Sequence, residues 1–146
     1  MSVKCVIRKA VTADVPSVAH LVVEHNAGLG QGELLDWLYL AVVSRDVLVL
    51  VEAWRNNEIA GYLIAVAGQD GWGRRVVELS QAKMTHGMGV HAIQIAIEWS
   101  KAIGAKRVTA VVGTYGKNGR RKSVGRAMAK LFAMEEVGTL HRLVLP

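Results

Sequence analysis

The sequence predicts a single-domain α/β protein in which helices cover both faces of a mixed sheet. Its 146 residues suit one domain, and 51% of them are apolar, which is enough for a buried core without disulfide or metal support. A strand hairpin followed by a strand–helix–strand crossover implies both antiparallel and parallel pairing. The predicted order of elements is β-α-α-β-β-β-α-β-α-β.

The first half of the chain is predicted to hold a strand, two helices and a hairpin. Thr12 stands where a helix N-cap belongs, and Pro16 is tolerated in the first turn of the helix that follows. Asn56 and Asn57 predict a turn, because Asn accepts a positive φ better than most residues. The predicted ranges are a strand at 3–8, helices to about 25 and at 33–44, and hairpin strands at 47–54 and 59–66. The strand at 47–54 shows little alternation, as expected for a strand covered on both faces.

The second half is predicted to complete the sheet around a long helix. A loose stretch at 68–73 precedes a fourth strand at 75–81, and the helix opens with Gly87-Met88-Gly89 and runs to about residue 103. Gly104 is a natural helix stop. A fifth strand is expected at 107–112, a last helix at 120–133 and a closing strand at 137–145.

Charge is concentrated in one short segment. The chain has 18 Lys and Arg against 12 Asp and Glu, a formal net charge of +6. Residues 117–130 hold six of the cations and no acid, so the remainder is balanced at 12 against 12. The six are Lys117, Arg120, Arg121, Lys122, Arg126 and Lys130. This pattern predicts a local anion site.

The remaining composition narrows the class of protein. Cys5 is the only cysteine, which excludes an intramolecular disulfide and suits a reducing interior. No apolar run approaches the roughly 20 residues that cross a bilayer, and no secretion signal is recognisable. The five histidines have no metal-ligand spacing. A cytoplasmic protein without a metal site is expected.

The junction between the fourth strand and the long helix is the segment most suggestive of function. The first turn of a helix carries unpaired N–H groups and the positive end of the helix dipole. Gly87 and Gly89 would let a phosphate approach that backbone without meeting a Cβ. The same two glycines could instead serve only a tight turn, because Gly-x-Gly alone is a weak signal.

This junction resembles the acetyl-CoA motif of the GCN5-related N-acetyltransferase (GNAT) superfamily, whose loop reads Gln/Arg-x-x-Gly-x-Gly/Ala. Three further segments resemble the family in the same order along nearly the whole chain. They are Ile7-Arg8-Lys9-Ala10 with Thr12-Ala13-Asp14, then Ile59-Ala60-Gly61-Tyr62, and finally the run from Leu131 to Gly138. The chain is thus identified as similar to a small, divergent, stand-alone GNAT protein.

The resemblance implies an acetyl-CoA site and the residues that form it. Pyrophosphate would bind the backbone N–H groups from Met84 to Val90, centred on Gly87 and Gly89, with His86 beside it. The pantetheine arm would pair like an extra strand with the end of the fourth strand. The cofactor-binding residues implied are Leu79, Ser80, Gln81, Ala82, Met84, His86, Gly87, Met88, Gly89, Val90, Asn118, Lys122 and Gly125.

Two residues are predicted to be catalytic. Glu78 is the only carboxylate of the fourth strand, and the family often places a Glu there, so it is the candidate base. Its apolar neighbours in sequence would disfavour the charged form. A solvent-facing, purely structural Glu78 is the alternative. Ala129 falls where the family often has the Tyr that protonates the thiolate, so Tyr115 is the substitute acid.

Other positions depart from the family pattern. Met84 replaces the usual Gln or Arg, Lys122 replaces a common Asn, and the glycine loop is one residue short. Three functions stay open. The first is transfer of an acetyl group from acetyl-CoA to an amine acceptor. The second is a catalytically degenerate GNAT-fold protein that binds nucleic acid or an acidic protein through its basic C-terminal helix. The third is an enzyme that acylates or modifies nucleic acid or a nucleic-acid-bound protein.

Overall fold

In the part of the chain that the structure describes, five strands and three helices form a mixed α/β fold. The computed structural model describes residues 5–25, 30–85 and 88–110. The strands are β1 (Val6–Lys9), β2 (Val47–Ala53), β3 (Ile59–Gln69), β4 (Arg75–Lys83) and β5 (Arg107–Ala110). A 3₁₀ turn, Thr12–Asp14, leads into α1 (Val15–His25), followed by α2 (Gln31–Ala41) and α3 (Gly89–Ala102).

The sheet follows chain order, β1-β2-β3-β4-β5. The first four strands pair antiparallel, and β5 joins β4 in parallel after the α3 crossover. The structure thus confirms the predicted α/β class with a mixed sheet. The predicted helix at 120–133 and the strand at 137–145 lie outside the described residues.

Some predicted boundaries were wrong by a few residues. α2 begins at Gln31 and ends at Ala41, and β4 continues to Lys83. The largest error concerns 68–73, predicted as a loose stretch. β3 runs to Gln69 instead, and Asp70 closes a tight turn by accepting bonds from the N–H groups of Trp72 and Arg74, both at 2.9 Å.

Helices cover both faces of the central strands, as the non-alternating run at 47–54 predicted. On one face, α1 and α2 bury Val18, Val22 and Leu38 against Val49 and Tyr62. The alternate residues of β2 and β3 face the other way, where α3 contributes buried Ala92, Ile93 and Ala96. β2 is therefore buried from Leu48 to Ala53.

Two predicted chain reversals are confirmed by their backbone geometry. Asn57 has φ 64° in the β2–β3 turn, and Gly104 has φ 79° after α3. The N–H of Gly104 donates to the carbonyl of Lys101 at 3.0 Å, and that of Ala105 donates to Ser100 at 2.9 Å. In the described part of the chain, no helix has the length and apolar character needed to cross a membrane.

An ion pair joins β1 to the start of α1. Arg8 donates two hydrogen bonds to the Asp14 carboxylate, at 2.6 and 3.0 Å, and the N–H of Val11 adds a third at 2.8 Å. Asp14, not Thr12 as predicted, thus caps this helix entry, and Thr12 lies within the 3₁₀ turn. Asp14 is buried, and the hydrogen bonds from Arg8 hold the pKa of its carboxyl below the ordinary value, against the opposing effect of burial.

Replacing Asp14 by Asn should lower the free energy of unfolding by about 1.5–3 kcal/mol, because it removes charged hydrogen bonds at a buried site. A lowered folded-state pKa stabilises the fold above the ordinary carboxyl value of about 3.9, and that contribution is lost as the pH falls through the folded-state value. Urea unfolding at several pH values should show a constant gap between wild type and variant near neutrality, closing below about pH 4.

Asp36→Asn is the matched control, because Asp36 is exposed on α2 and has no ion pair with a described residue. It should unfold like the wild type at every pH. An Asp14→Asn variant that does the same would show that the Arg8–Asp14 pair contributes nothing to stability.

Candidate functional site

A β-bulge interrupts β4 next to the predicted catalytic residue. β3 pairs Ile64 with Gln81 but Ala65 with Leu79, so Ser80 is an extra residue. Such a bulge bends the strand and increases its twist. On the other side of β4, the described pairing with β5 runs from Val76 to Leu79. The bulge thus follows directly after Leu79, the last β4 residue for which pairing with β5 is described.

Glu78 lies on the exposed face of β4, between Val66 of β3 and Thr109 of β5. Its sequence neighbours Val77 and Leu79 do not surround the Glu78 side chain, because they point to the opposite, buried face. The carboxylate makes no hydrogen bond or ion pair with a described residue. Glu78 is therefore accessible to a ligand.

The other predicted contacts of β4 differ in their exposure. Ser80 and Ala82 are exposed, Gln81 is half-buried, and Leu79 is buried in the core. A ligand that bound here would therefore meet the backbone of Leu79 and not its side chain.

The segment between β4 and α3 presents backbone donors at its α3 end. The first bond of the helix runs from the Ala92 N–H to the Met88 carbonyl at 3.1 Å, so the N–H groups of Gly89 and Val90 precede it. Two other N–H groups of the predicted cradle already have protein acceptors. Thr85 donates to Glu52 at 2.8 Å, and Met88 donates to the Thr85 carbonyl at 3.1 Å.

Among the described residues, none requires glycine at position 89. Its φ is not positive, and the described atom that a Cβ placed there would meet is the Met84 Cβ, at 4.0 Å. The first N–H groups of a helix can hold an anionic group, so the described backbone at this end of α3 is chemically compatible with a phosphate.

A buried carboxylate, Glu52, fixes the start of this segment. Its side chain is 0% exposed, and its two oxygens accept the N–H and the hydroxyl of Thr85. The Cys5 thiol is also nearby. Its own partial burial, then the hydrogen bond to Glu52 and the negative charge of that carboxylate, raise the pKa of the thiol.

Glu52 and its contact with Thr85 were not predicted from the sequence, although the Thr85 N–H lies within the predicted range Met84 to Val90. The available signal was a single charged residue within the apolar run of β2, since a strand covered on both faces has no solvated side for a carboxylate. Its partner could not have been found, because Thr85 lies 33 residues away.

Gly61 makes room for this arrangement. It pairs with Glu52 across β2 and β3, and a Cβ built on it would lie 2.5 Å from the Lys83 carbonyl oxygen and 2.9 Å from a Glu52 oxygen. The neighbouring Met84 Cα would be 3.0 Å away. The chain that leaves β4 at Lys83 and Met84 can therefore pass close to β3 only at a residue without a side chain.

The other predicted site residues lie outside the described residues: His86, Gly87, Tyr115, Asn118, Lys122 and Gly125. The basic segment 117–130 does as well. Within the described residues, no group of three His, Cys, Asp or Glu side chains could hold a metal ion.

Several solved structures of acetyltransferases are similar to this chain in fold. The aminoglycoside N-acetyltransferase AAC(6')-Iy, solved in complex with CoA, matches with a TM-score of 0.77 at 12% identity, over 99% of this chain and 97% of that one. A Trypanosoma brucei acetyltransferase matches at 0.73 and 15% identity, over 97% and 100%. The antibiotic 6'-N-acetyltransferase AAC(6')-Ih from Acinetobacter baumannii matches at 0.71 and 12% identity, over 98% and 99%.

These matches show that the chain has the GNAT fold, which confirms the fold predicted from its motifs. Sequence comparison is silent in contrast. No protein-family model matches the chain, and no curated protein matches it.

Gly61→Ala should destabilise the protein by about 1–3 kcal/mol, because the new methyl group would push against the backbone of Lys83 and Met84. Gly89→Ala is the matched control, since its methyl group would meet a described atom only at 4.0 Å, an ordinary contact distance, and alanine favours the helix. Thermal and urea unfolding of the two variants measure the difference. Equal stability of Gly61→Ala and wild type would contradict the close crossing described for β3 and the β4 exit.

Proposed function

We propose that the chain is an acyltransferase that moves an acetyl group from acetyl-CoA to an amine by direct transfer. The observation that carries this proposal is the order of features along β4 and the segment that leads from it into α3. An accessible carboxylate at Glu78 is followed by the Ser80 bulge, and then by the N-terminus of α3 at Gly89. The fold match to a CoA-bound acetyltransferase supports the same conclusion.

The proposed cofactor site follows the path of the chain. The N–H groups of Gly89 and Val90 would hold pyrophosphate charge, assisted by the dipole of α3. The backbone of Leu79 to Ala82 would hold the pantetheine arm as an added strand. At about 3.3 Å per residue, the stretch from Glu78 to Lys83 spans roughly 16 Å, which suits an extended ligand lying along it.

The protein is proposed to supply a base, a backbone hydrogen-bond donor and an acid. Acetyl-CoA supplies the activated acetyl group as a thioester. Glu78 accepts the proton that the attacking amine must lose, directly or through a water molecule. A backbone N–H near Leu79 and Ser80 donates to the carbonyl oxygen as negative charge develops on it. Tyr115 is proposed to return a proton to the departing thiolate.

The acceptor is proposed to be an amine of a small molecule. Two of the structures similar in fold are named as aminoglycoside N-acetyltransferases, and such acceptors carry several amino groups. We include in the proposal that residues 1–146 act as one domain in the cytoplasm, where acetyl-CoA is available.

Acetyl-CoA should raise the melting temperature, with a stabilisation of about 2.7 kcal/mol at a hundredfold excess over its dissociation constant. Gly89→Asp should abolish this gain, because it places bulk and negative charge where the phosphates are proposed to bind. Differential scanning calorimetry with and without the cofactor measures both effects.

Gly89→Ala completes the experiment, because it should fold at least as well as wild type and still bind acetyl-CoA less tightly. A wild-type melting temperature that millimolar acetyl-CoA leaves unmoved would reject the cofactor site and the proposed function with it.

Glu78→Gln should lower the acetylation rate by roughly 10²–10⁴-fold and change acetyl-CoA affinity little, because the amide cannot accept the proton. The rate is followed as release of free thiol from acetyl-CoA with a panel of aminoglycosides and polyamines. Glu58→Gln, an exposed carboxylate in the β2–β3 turn, is the control and should retain the wild-type rate. A Glu78→Gln enzyme as fast as wild type would remove Glu78 from the reaction.

A further inference from the structure

Glu52 is a buried carboxylate whose described partners do not include a cation. Its side chain is fully inaccessible, and no described Lys or Arg pairs with it. A buried charge is costly unless strong hydrogen bonds compensate it. Thr85 provides two of them, from its N–H at 2.8 Å and from its hydroxyl. The carboxylate and Thr85 are therefore held together by the cost of separating them.

The contact with Thr85 continues as far as α3. The Thr85 carbonyl accepts the Met88 N–H at 3.1 Å, and the Met88 carbonyl accepts the Ala92 N–H at 3.1 Å. Three successive links thus run from the core of β2 to the first turn of the helix. They bracket Gly89 and Val90, whose N–H groups are the proposed phosphate donors.

The geometry points to Glu52 as a positioning residue for phosphate binding. We infer that it holds Thr85, and through Thr85 the Met88 end of α3, so that the donors of Gly89 and Val90 are aligned before the ligand binds. Prior alignment strengthens binding because less order has to be imposed when the complex forms. This inference rests on the proposed function, since it assumes that the phosphates of coenzyme A bind there.

Glu52 does not fit the role of a catalytic base. Both of its oxygens accept hydrogen bonds from Thr85, and no part of the side chain reaches solvent. Glu78 is exposed on a different strand, so the two carboxylates differ in access and in function.

The test compares two ligands, CoA and pantetheine, by NMR titration of backbone amides in the whole protein. Pantetheine has the thiol arm of CoA and no phosphate. Thr85→Val removes the hydroxyl donor at an exposed position, so the fold should survive. It should weaken CoA binding roughly tenfold and leave pantetheine binding within about twofold of wild type.

Three further variants make the result specific. Thr12→Val is the matched control, an exposed threonine in the 3₁₀ turn, and should bind both ligands like wild type. Thr85→Ser retains both donors and should restore most of the CoA affinity. Glu52→Gln should also weaken CoA binding without weakening pantetheine binding. The amide has one oxygen where the carboxylate has two, so it can accept only one of the two hydrogen bonds from Thr85.

Equal weakening of both ligands in Thr85→Val and Glu52→Gln would overturn the inference, since it would mean general damage to the fold. Unchanged CoA binding in both variants would overturn it as well. A wild-type protein that binds neither ligand would instead show that the proposed function is wrong, and the positioning role would be lost with it.

Discussion

The hydrogen bonds between Glu52 and Thr85 are the constraint on which the rest of the candidate site depends. A carboxylate inside a sheet must find donors nearby, and the donors it finds belong to the segment that leads into α3. That segment can reach Glu52 only because Gly61 leaves space beside Lys83. The helix end, the β4 exit and the centre of the sheet are thus parts of one packing arrangement.

Much of the fold was predictable from local patterns. The apolar run of β2 indicated a strand covered on both faces, and Asn57 and Gly104 adopt the positive φ values that their residue types favour. The order of elements then left few topologies. The turn at Asp70 was missed because one side chain closes it through bonds to residues two and four positions later, which composition alone does not reveal.

The candidate site was less predictable, because its geometry depends on contacts between strands. Glu78 was found as the single acid of its strand, but its exposure follows from register with β3 and β5. The segment 7–14, which resembles the opening of GNAT sequences, contains both partners of the Arg8–Asp14 ion pair. Glu52 stood out in the sequence only as a charged residue in an apolar strand, and this pattern does not indicate which residue it contacts.

The Ser80 bulge has a consequence for how this chain can change over evolutionary time. Val66 pairs with Glu78 and Ile64 pairs with Gln81, so these two residues of β4 point to the same face of the sheet although one has an even and the other an odd number. The extra residue, Ser80, takes up the difference. Ser80 thus behaves as a one-residue insertion that needs no compensating substitution elsewhere. A lineage could gain or lose the bend in β4 in a single genetic step while its hydrophobic core stays as it was.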